Sequence, residues 1–221
     1  MKIALAQINT TVGDFPGNEG RILAAYRRAA EAGVELVIFP ELATCGYPPR
    51  DLLQRRNFIR QNRELLERLT AAVGTTAMLI GFVGQNGKRP GRELTNSTAL
   101  LQNGRCLATR DKTLLPTYDV FDEDRYFEPA AENKPVEFNG RKIGLTVCED
   151  VWNDEDFWDE RRYRRNPAAE LAAAGAQIIF NNSSSPWHLG KNETRRDMLA
   201  SLARKTGCPL VYCNLVGEMT S

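Results

Sequence analysis

The sequence predicts an α/β protein with mixed sheets, and three observations support this prediction. A helix-like segment, a small residue with a glycine, and a short apolar run follow one another three times along the chain. Several apolar runs end in polar or reactive residues, as strands do at the functional edge of an open sheet. Two Asn-Gly dipeptides between strand-like runs predict hairpin turns and therefore antiparallel pairs. A layered fold with parallel and antiparallel strands accounts for all three.

Hydrophobic spacing gives the individual elements. Apolar residues at helical spacing predict helices at 18–32, 56–73, 168–175 and 197–207. Short apolar runs predict strands at 2–9, 34–39, 77–83, 105–109, 176–180 and 209–213. The first of these strands is expected to be covered on both faces, and the hairpin turns are expected at 103–104 and 139–140. Because no linker-like segment divides these elements, residues 1–221 are predicted to form a single domain.

Charge and hydropathy narrow the class of protein. The 221 residues include 29 Lys plus Arg and 28 Asp plus Glu, a formal net charge of +1, with the two signs interspersed. This balance offers no electrostatic surplus for a nucleic-acid or membrane partner. The sequence shows no signal peptide and no apolar window long enough to span a membrane. The expected location is therefore the cytoplasm.

The cysteine and histidine content argues against metal or disulfide frameworks. The five cysteines are odd in number and form no C-x-x-C pair, and His188 is the single histidine. We therefore expect no metal site.

Three residues near predicted strand ends could cooperate in chemistry: Glu41, Lys112 and Cys148. A thiol is mostly protonated at neutral pH, so a nucleophilic cysteine needs a base or a cation nearby. Glu41 could supply the base and Lys112 the cation. Taken singly, Cys148 could equally be a small buried hydrophobic residue, and the other two could be ordinary surface charges.

Two further segments have simpler interpretations. The serines at 183–185 lack the Gly-x-Ser-x-Gly pattern of a serine hydrolase, so a polar loop after a buried strand is expected there. The basic run at 161–165 follows the acidic stretch 154–160, which favours a solvated helix face with internal ion pairs over a phosphate site.

Three segments resemble the signature segments of the nitrilase superfamily, in the family's order. They are Val-Ile-Phe-Pro-Glu at 37–41, Asp-Lys-Thr-Leu-Leu-Pro at 111–116 and Gly-Leu-Thr-Val-Cys-Glu-Asp at 144–150. Segments 45–53, 118–127 and 185–191 further resemble the amidotransferase domain of glutamine-dependent NAD synthetases. The resemblance runs from Met1 to about Gly217.

This resemblance implies an α-β-β-α sandwich and a Glu-Lys-Cys triad. Cys148 would attack the carboxamide of L-glutamine, Glu41 would take the thiol proton, and Lys112 would stabilise the oxyanion. Glu123 matches a second glutamate that supports the lysine. The positions that hold the substrate's α-amino and α-carboxylate groups correspond to Tyr47, Tyr118, Trp152, Ser185 and Lys191. No cofactor is implied for this step.

The resemblance also implies a larger enzyme in which the released ammonia converts deamido-NAD to NAD. ATP, Mg and deamido-NAD would bind only to a synthetase domain, and its Ser-Gly-Gly-x-Asp-Ser loop is absent from this sequence. The family's amidotransferase domain continues beyond the Val-Gly run at 216–217. We therefore expect residues 1–221 to be a glutaminase domain incomplete at its C-terminus, with the synthetase domain and further copies of the chain as partners.

Two alternatives stay open. The triad does not specify the amide, so a free-standing amidase or carbamoylase has the same signature, although Tyr47 and Tyr118 favour glutamine. A catalytically inactive interaction fragment is also compatible with the sequence, because missing strands would leave an unpaired sheet edge.

Overall fold

The computed structural model of the chain describes residues 1–87, 90–118 and 121–217. The described ranges contain the α-helices α1 (Phe15–Glu31), α2 (Arg56–Ala72), α3 (Pro167–Ala173) and α4 (Lys191–Thr206). The strands are β1 (Ile3–Leu5), β2 (Leu36–Ile38), β3 (Ala77–Gln85), β4 (Leu94–Gln102), β5 (Arg105–Asp111), β6 (Val136–Phe138), β7 (Arg141–Val147), β8 (Ile178–Ser183) and β9 (Leu210–Asn214). Residues 119 and 120 of the segment 118–127, and the last four residues of the chain, lie outside the described residues.

The strands form two mixed sheets, as the sequence predicts. The first sheet has the order β1-β2-β3-β4-β5, and the second has the order β6-β7-β8-β9. Strands β1, β2 and β3 are parallel, and β4 and β5 extend the first sheet in antiparallel fashion. In the second sheet β6 is antiparallel to β7, while β7, β8 and β9 are parallel. The candidate residues Glu41, Lys112 and Cys148 follow β2, β5 and β7 respectively, so parallel strands of both sheets and the antiparallel edge strand β5 end at the candidate site.

The two sheets pack face to face between two layers of helices. Apolar side chains such as Leu36 and Leu79 from the first sheet meet Leu145 and Phe180 from the second in one buried cluster. Helices α1 and α2 cover the outer face of the first sheet, and α3 and α4 cover the outer face of the second. This is the α-β-β-α sandwich that the resemblance implies, with the hydrophobic surfaces of both sheets removed from water.

Local sequence accounts for the ends of several elements. Asp14 caps α1 by accepting a hydrogen bond from the Gly17 amide, and Gly33 follows the helix at a φ of 66°. The predicted hairpin turns are confirmed: the φ angles are 51° and 71° at 103–104 and 48° and 71° at 139–140. Positive φ at both positions is the signature of type I′ turns.

Other local predictions are wrong. Strand β1 is short and lies at a sheet edge, and Leu5 is 48% exposed, so this strand is not covered on both faces. Helix α4 begins at Lys191, six residues before the predicted start. The segment 154–166 forms turns rather than a helix, because the Asn153 side chain donates hydrogen bonds to the carbonyls of Tyr163 and Arg165.

The serines at 183–185 also differ in part from the prediction. Ser183 is the last residue of β8, and Ser183, Ser184 and Ser185 are all buried. Ser184 and Ser185 do follow a buried strand in a loop, as predicted, but this loop is buried and Ser183 belongs to the strand itself. Within the described residues, no helix is long and apolar enough to cross a membrane.

Candidate active site

Glu41, Lys112 and Cys148 are brought together from three strand ends. Glu41 follows β2, Lys112 follows β5 directly, and Cys148 follows β7 directly. Glu41 and Lys112 are fully buried, and Cys148 is 5% exposed. Lys112 Nζ lies 2.7 Å from Glu41 Oε1, and two adjacent serines join Glu41 to Cys148: the Ser184 amide donates to Glu41 Oε2, and the Ser183 hydroxyl donates to Cys148 Sγ. The predicted triad is therefore one cluster in the structure.

Lys112 lies between two carboxylates. Its Nζ is 2.7 Å from Glu41 Oε1 and 2.8 Å from the carboxylate of Glu123. Burial alone lowers the pKa of Lys112, but the charges of Glu123 and Glu41 outweigh it, so the pKa is raised well above its usual value. The ammonium is a permanent positive charge at neutral pH.

Several side chains hold the two carboxylates in place. Asn96 on β4 donates its amide hydrogens to Glu41 Oε1 at 2.8 Å and to Glu123 Oε2 at 3.3 Å. The hydroxyl of Tyr47 donates to Glu123 Oε1 at 2.8 Å, and the backbone amide of Ser184 donates to Glu41 Oε2 at 2.9 Å. Glu41 therefore accepts three hydrogen bonds of the roughly four that a carboxylate can accept, leaving Oε2 able to take one more proton.

Glu123 has an unusual protonation equilibrium. Burial raises its pKa from 4.5 to about 7, and the charge of Glu41 acts in the same direction, against the opposing effect of Lys112. The Glu41–Lys112–Glu123 cluster therefore changes its net charge near neutral pH.

Cys148 occupies a constrained position at the start of a short 3-10 turn (Cys148–Val151). Its φ of 41° is in the left-handed region, which is rare for a residue with a side chain. Asn181 supports this backbone by donating to the Cys148 carbonyl at 3.4 Å, and Ser183 Oγ donates to Sγ at 3.3 Å. Burial raises the pKa of the thiol, as does the charge of Glu41, and Lys112 only partly opposes them. The resting sulfur is thus a protonated thiol that needs a base.

Asp150 joins the Cys148 turn to the segment after Lys112. Its Oδ1 accepts from the amides of Thr113 and Leu114 at 2.9 and 2.8 Å, and its Oδ2 accepts from the Val147 amide at 3.0 Å. Burial raises the pKa of Asp150 to about 6, although these three amides oppose the shift. The carboxylate fixes the spacing between the two segments that carry Lys112 and Cys148.

The residues predicted to bind substrate fall into three places. Tyr118, Trp152 and Lys191 line one cavity of about 660 Å³ together with Glu149. Tyr47 lies in the buried cluster beside Glu123 instead. Ser185 lies in a neighbouring cavity of about 610 Å³ with Arg195 and Asn214. The structure thus brings three of the five predicted residues together around one cavity.

The cavity around Glu149 contains groups of both charges. Glu149 Oε1 accepts hydrogen bonds from Tyr118 at 2.8 Å and from Tyr163 at 3.1 Å. The Lys191 ammonium lies 5.3 Å from the centroid of the Trp152 ring, and the Arg162 guanidinium lies 3.9 Å from that of Tyr118. A zwitterionic ligand with separate positive and negative ends would find partners for both in this cavity.

Six residues that contribute to the site had no role in it predicted from the sequence: Asn96, Glu149, Asp150, Asn181, Ser183 and Ser184. A signal was available for Asn96, because it lies in the polar run 95–98 directly before the apolar run 99–101, and polar side chains in a buried strand must find partners. Glu149 and Asp150 lie within the segment of the cysteine but had no assigned role. The role of Ser184 depends on its backbone amide, which the residue type does not reveal. In the part of the chain that the structure describes, no group of three or more His, Cys, Asp or Glu side chains could hold a metal ion.

The carbon-nitrogen hydrolase family model matches residues 2–221. The chain belongs to this family. A glutamine-dependent NAD(+) synthetase from Synechocystis sp. is 42% identical to this carbon-nitrogen hydrolase over 219 residues, which cover 97% of the chain and 39% of the relative. The chain therefore spans about two-fifths of the length of that relative.

Solved structures agree with the family. The structure of a glutamine-dependent NAD+ synthetase from Acinetobacter baumannii, in complex with ADP, superposes with a TM-score of 0.87 at 32% identity, over 98% of this hydrolase and 38% of that chain. The crystal structure of an amidase from Nesterenkonia sp. gives a TM-score of 0.80 at 25% identity, over 99% of this hydrolase and 77% of that chain. Both resemblances stated from the sequence, to the nitrilase superfamily and to the NAD synthetases, are confirmed.

Proposed function

We propose that the chain hydrolyses L-glutamine to glutamate and ammonia through a thioester on Cys148. The observation that carries the proposal is the placement of the buried Cys148 thiol in one cluster with the Glu41 carboxylate and the Lys112 ammonium. This arrangement supplies a nucleophile, a base and an oxyanion partner in one place. The similarity to glutamine-dependent NAD synthetases supports glutamine as the amide.

In the first half of the reaction Glu41 takes the thiol proton while the sulfur forms a bond to the carboxamide carbon. The Lys112 ammonium, held between Glu41 and Glu123, supplies the positive charge that stabilises the oxyanion. When the oxyanion collapses, the C–N bond breaks and Glu41 returns its proton to the leaving nitrogen, which departs as ammonia. The glutamyl group is then a thioester of Cys148.

In the second half Glu41 takes a proton from water as the water oxygen attacks the thioester carbon. Lys112 again stabilises the oxyanion, the C–S bond breaks, and the sulfur regains a proton from Glu41. Glutamate leaves and the resting site is restored. Glu41 thus moves one proton in each direction per half-reaction, which needs the open acceptor position on Oε2.

The charged cavity beside the site supports recognition of an amino acid. We assign the substrate's α-amino group to Glu149 with Tyr118, and its α-carboxylate to Lys191 beside Trp152. Ser185 and Tyr47 take roles outside this cavity: Ser185 lies beside Arg195, and Tyr47 supports Glu123.

In a longer protein of the NAD synthetase type, the ammonia would convert deamido-NAD to NAD in a partner synthetase domain. ATP, Mg and deamido-NAD belong to that domain, and the glutaminase step itself uses no cofactor. A cytoplasmic location and homo-oligomeric assembly complete the proposal.

The test is ammonia release from L-glutamine by the wild-type chain and by Cys148→Ser. The wild type is expected to release ammonia and glutamate in equal amounts, and the variant is expected to release neither. Cys106→Ser is the matched control, because Cys106 is an exposed free cysteine on β5, away from the site. Equal ammonia release by wild type and Cys148→Ser would overturn the proposed function.

A free-standing amidase is the second candidate, favoured by the similarity to the Nesterenkonia amidase over most of both chains. It predicts faster turnover of short neutral amides than of glutamine, with the same dependence on Cys148. Retained glutamine binding with no hydrolysis of any amide would instead indicate an inactive interaction fragment.

A further inference from the structure

Side chains from two neighbouring strands of the second sheet lie near the sulfur of Cys148. Strands β7, β8 and β9 are parallel neighbours, and their register pairs Val147 with Asn182 and Asn181 with Tyr212. Ser183 itself pairs with Asn214, so Tyr212 lies two positions before that partner and on the same face of the sheet, while Cys148 follows the Val147–Asn182 pair next to Ser183. From the first sheet, Glu41 and Lys112 act on the same thiol through their charges.

A chain of two hydroxyl groups leads to the sulfur. Ser183 Oγ donates to Cys148 Sγ at 3.3 Å, and Tyr212 Oη lies 2.5 Å from Ser183 Oγ. Because a hydroxyl has one hydrogen and Ser183 uses it on the sulfur, Tyr212 must be the donor in the second contact. Ser183 is fully buried and Tyr212 is half-buried, so the hydroxyl that contacts the sulfur is shielded from water.

The surroundings keep Tyr212 in its donor form. Burial raises the pKa of Tyr212, and the Arg195 guanidinium, 5.5 Å from the ring centroid, only partly opposes this. The phenol therefore retains its hydrogen at neutral pH. Arg195 also donates to Ser185 Oγ at 3.4 Å, which ties the outer face of the ring to the segment after β8.

We propose that Ser183 is a catalytic residue and Tyr212 a positioning residue, and that together they hold negative charge on the Cys148 sulfur. This proposal rests on the proposed function in that Cys148 is the nucleophile. Negative charge develops on the sulfur twice, when the thiol proton passes to Glu41 and when the C–S bond of the thioester breaks. Lys112 serves the oxyanion, whereas the hydroxyl chain serves the sulfur, so the two sheets stabilise different atoms of the same reaction.

Other charged and titratable groups around Cys148 are Glu41, Lys112, Glu149 and the phenols of Tyr47 and Tyr118. None of these is changed by Ser183→Ala or Tyr212→Phe. A change in the ionisation of the thiol in these variants therefore reports the hydroxyl chain.

The test follows alkylation of Cys148 by iodoacetamide, a small neutral electrophile, across a series of pH values. A Cys106→Ser background removes the exposed thiol, and mass spectrometry locates the adduct. Below the pKa of the thiol, the rate is proportional to the thiolate fraction. Because one hydrogen bond to an ionised group is lost, Ser183→Ala is expected to slow alkylation by about tenfold and to move the pH profile about one pH unit higher. Tyr212→Phe is expected to shift it less, in the same direction.

The double variant tests whether Tyr212 acts through Ser183. Ser183→Ala with Tyr212→Phe is expected to match Ser183→Ala alone, because the second hydroxyl has nothing left to polarise. Tyr26→Phe is the matched control: it removes a buried phenol hydroxyl that donates to Thr76, far from the sulfur, and should leave the pH profile unchanged. Thermal unfolding of each variant shows that the fold is retained.

The proposal is overturned if Ser183→Ala leaves the pH profile unchanged. It is also overturned if Tyr212→Phe has the same effect with and without Ser183, or if Cys148 forms no adduct at any pH. The assay needs no glutamine, so it is independent of ammonia release. A wild type that releases no ammonia but shows the predicted shifts would refute the proposed function and leave the hydroxyl chain intact.

Discussion

Lys112 is buried between two carboxylates, and this placement bears on which step of the reaction it serves. The pKa of Cys148 is raised by burial and by Glu41 despite the positive charge of Lys112. A lysine whose main task was to ionise the thiol would have produced a lowered pKa. Its charge is instead balanced by Glu41 and Glu123 before substrate arrives. The structure therefore favours a role for Lys112 in the transition state.

Lys112→Met tests this role. Methionine keeps an apolar stem of similar length and deletes the charge. Loss of one oxyanion donor typically slows turnover by about a hundredfold to a thousandfold, and we expect a loss of that size in glutamine hydrolysis. Alkylation of Cys148 by a neutral electrophile forms no oxyanion and should fall much less.

The variant also leaves two buried carboxylates without their shared cation. Lys112→Met combined with Glu123→Gln restores the net charge of the cluster and is the control for stability. If turnover and alkylation fall equally in both variants, Lys112 works by ionising the thiol.

At the scale of elements, Asp150 determines how the ends of β5 and β7 are spaced. Its carboxylate accepts three backbone amides from the two segments that carry Lys112 and Cys148. An asparagine of the same shape would keep only one acceptor oxygen and would turn an N–H group toward the remaining amide. Because these groups are buried, the unsatisfied amide costs about 1–3 kcal/mol.

We therefore expect Asp150→Asn to lower the free energy of unfolding by about 1–3 kcal/mol. We also expect kcat to fall while KM changes little, because the reacting groups move apart while the substrate cavity remains. Urea unfolding and steady-state kinetics measure the two effects. Asp51→Asn is the control, because Asp51 is an exposed residue that accepts a hydrogen bond from Tyr126. Unchanged kinetics in Asp150→Asn would show that the spacing is fixed by other contacts.

The elements also show which parts of the site could be predicted from the sequence. Glu41, Lys112 and Cys148 were predictable because strand ends are local signals and the three segments resemble a known family. For Asn96 the sequence signals only that buried partners are needed. It does not identify them, because Glu41 and Glu123 are 55 and 27 residues away and the contacts depend on how β4 packs. The turns at 154–166 were mispredicted for a similar reason: Asn153 binds backbone groups at 163 and 165, and a charge pattern does not encode that contact.

At the scale of the whole molecule, the site lies where the two sheets meet. Glu41 and Lys112 come from the first sheet, and Cys148 with its serine neighbours comes from the second. Hydrogen bonds join the two sheets at this point. The Ser184 amide donates to the Glu41 carboxylate and the Thr98 hydroxyl donates to the Asn182 side-chain oxygen, both at 2.9 Å. Catalytic geometry therefore depends on sheet packing, and the buried charges of the site contribute to the stability of the entire fold.

Glu123 makes this contribution dependent on pH. Its pKa is raised from 4.5 to about 7 in the folded protein by burial and by Glu41, against the effect of Lys112. Between these two values the folded state holds a proton that the unfolded state has released. The folded protein therefore loses stability as the pH rises from about 4.5 through about 7, and the loss levels off above that range.

Glu123→Gln removes this titration while keeping the shape of the side chain. We expect the free energy of unfolding of the variant to rise relative to the wild type by about 2–3 kcal/mol between pH 5 and pH 8, since a tenfold change in a proton-binding equilibrium corresponds to about 1.4 kcal/mol. Urea titrations at the two pH values measure the difference. Asp150, whose pKa is also raised, is present in both proteins, so its contribution to the pH dependence cancels in the comparison.

Glu64→Gln, at a surface glutamate paired with Arg60 on α2, is the control for loss of a carboxylate. If the stabilities of wild type and Glu123→Gln run parallel with pH, Glu123 does not exchange its proton on unfolding, and the cluster carries a fixed charge.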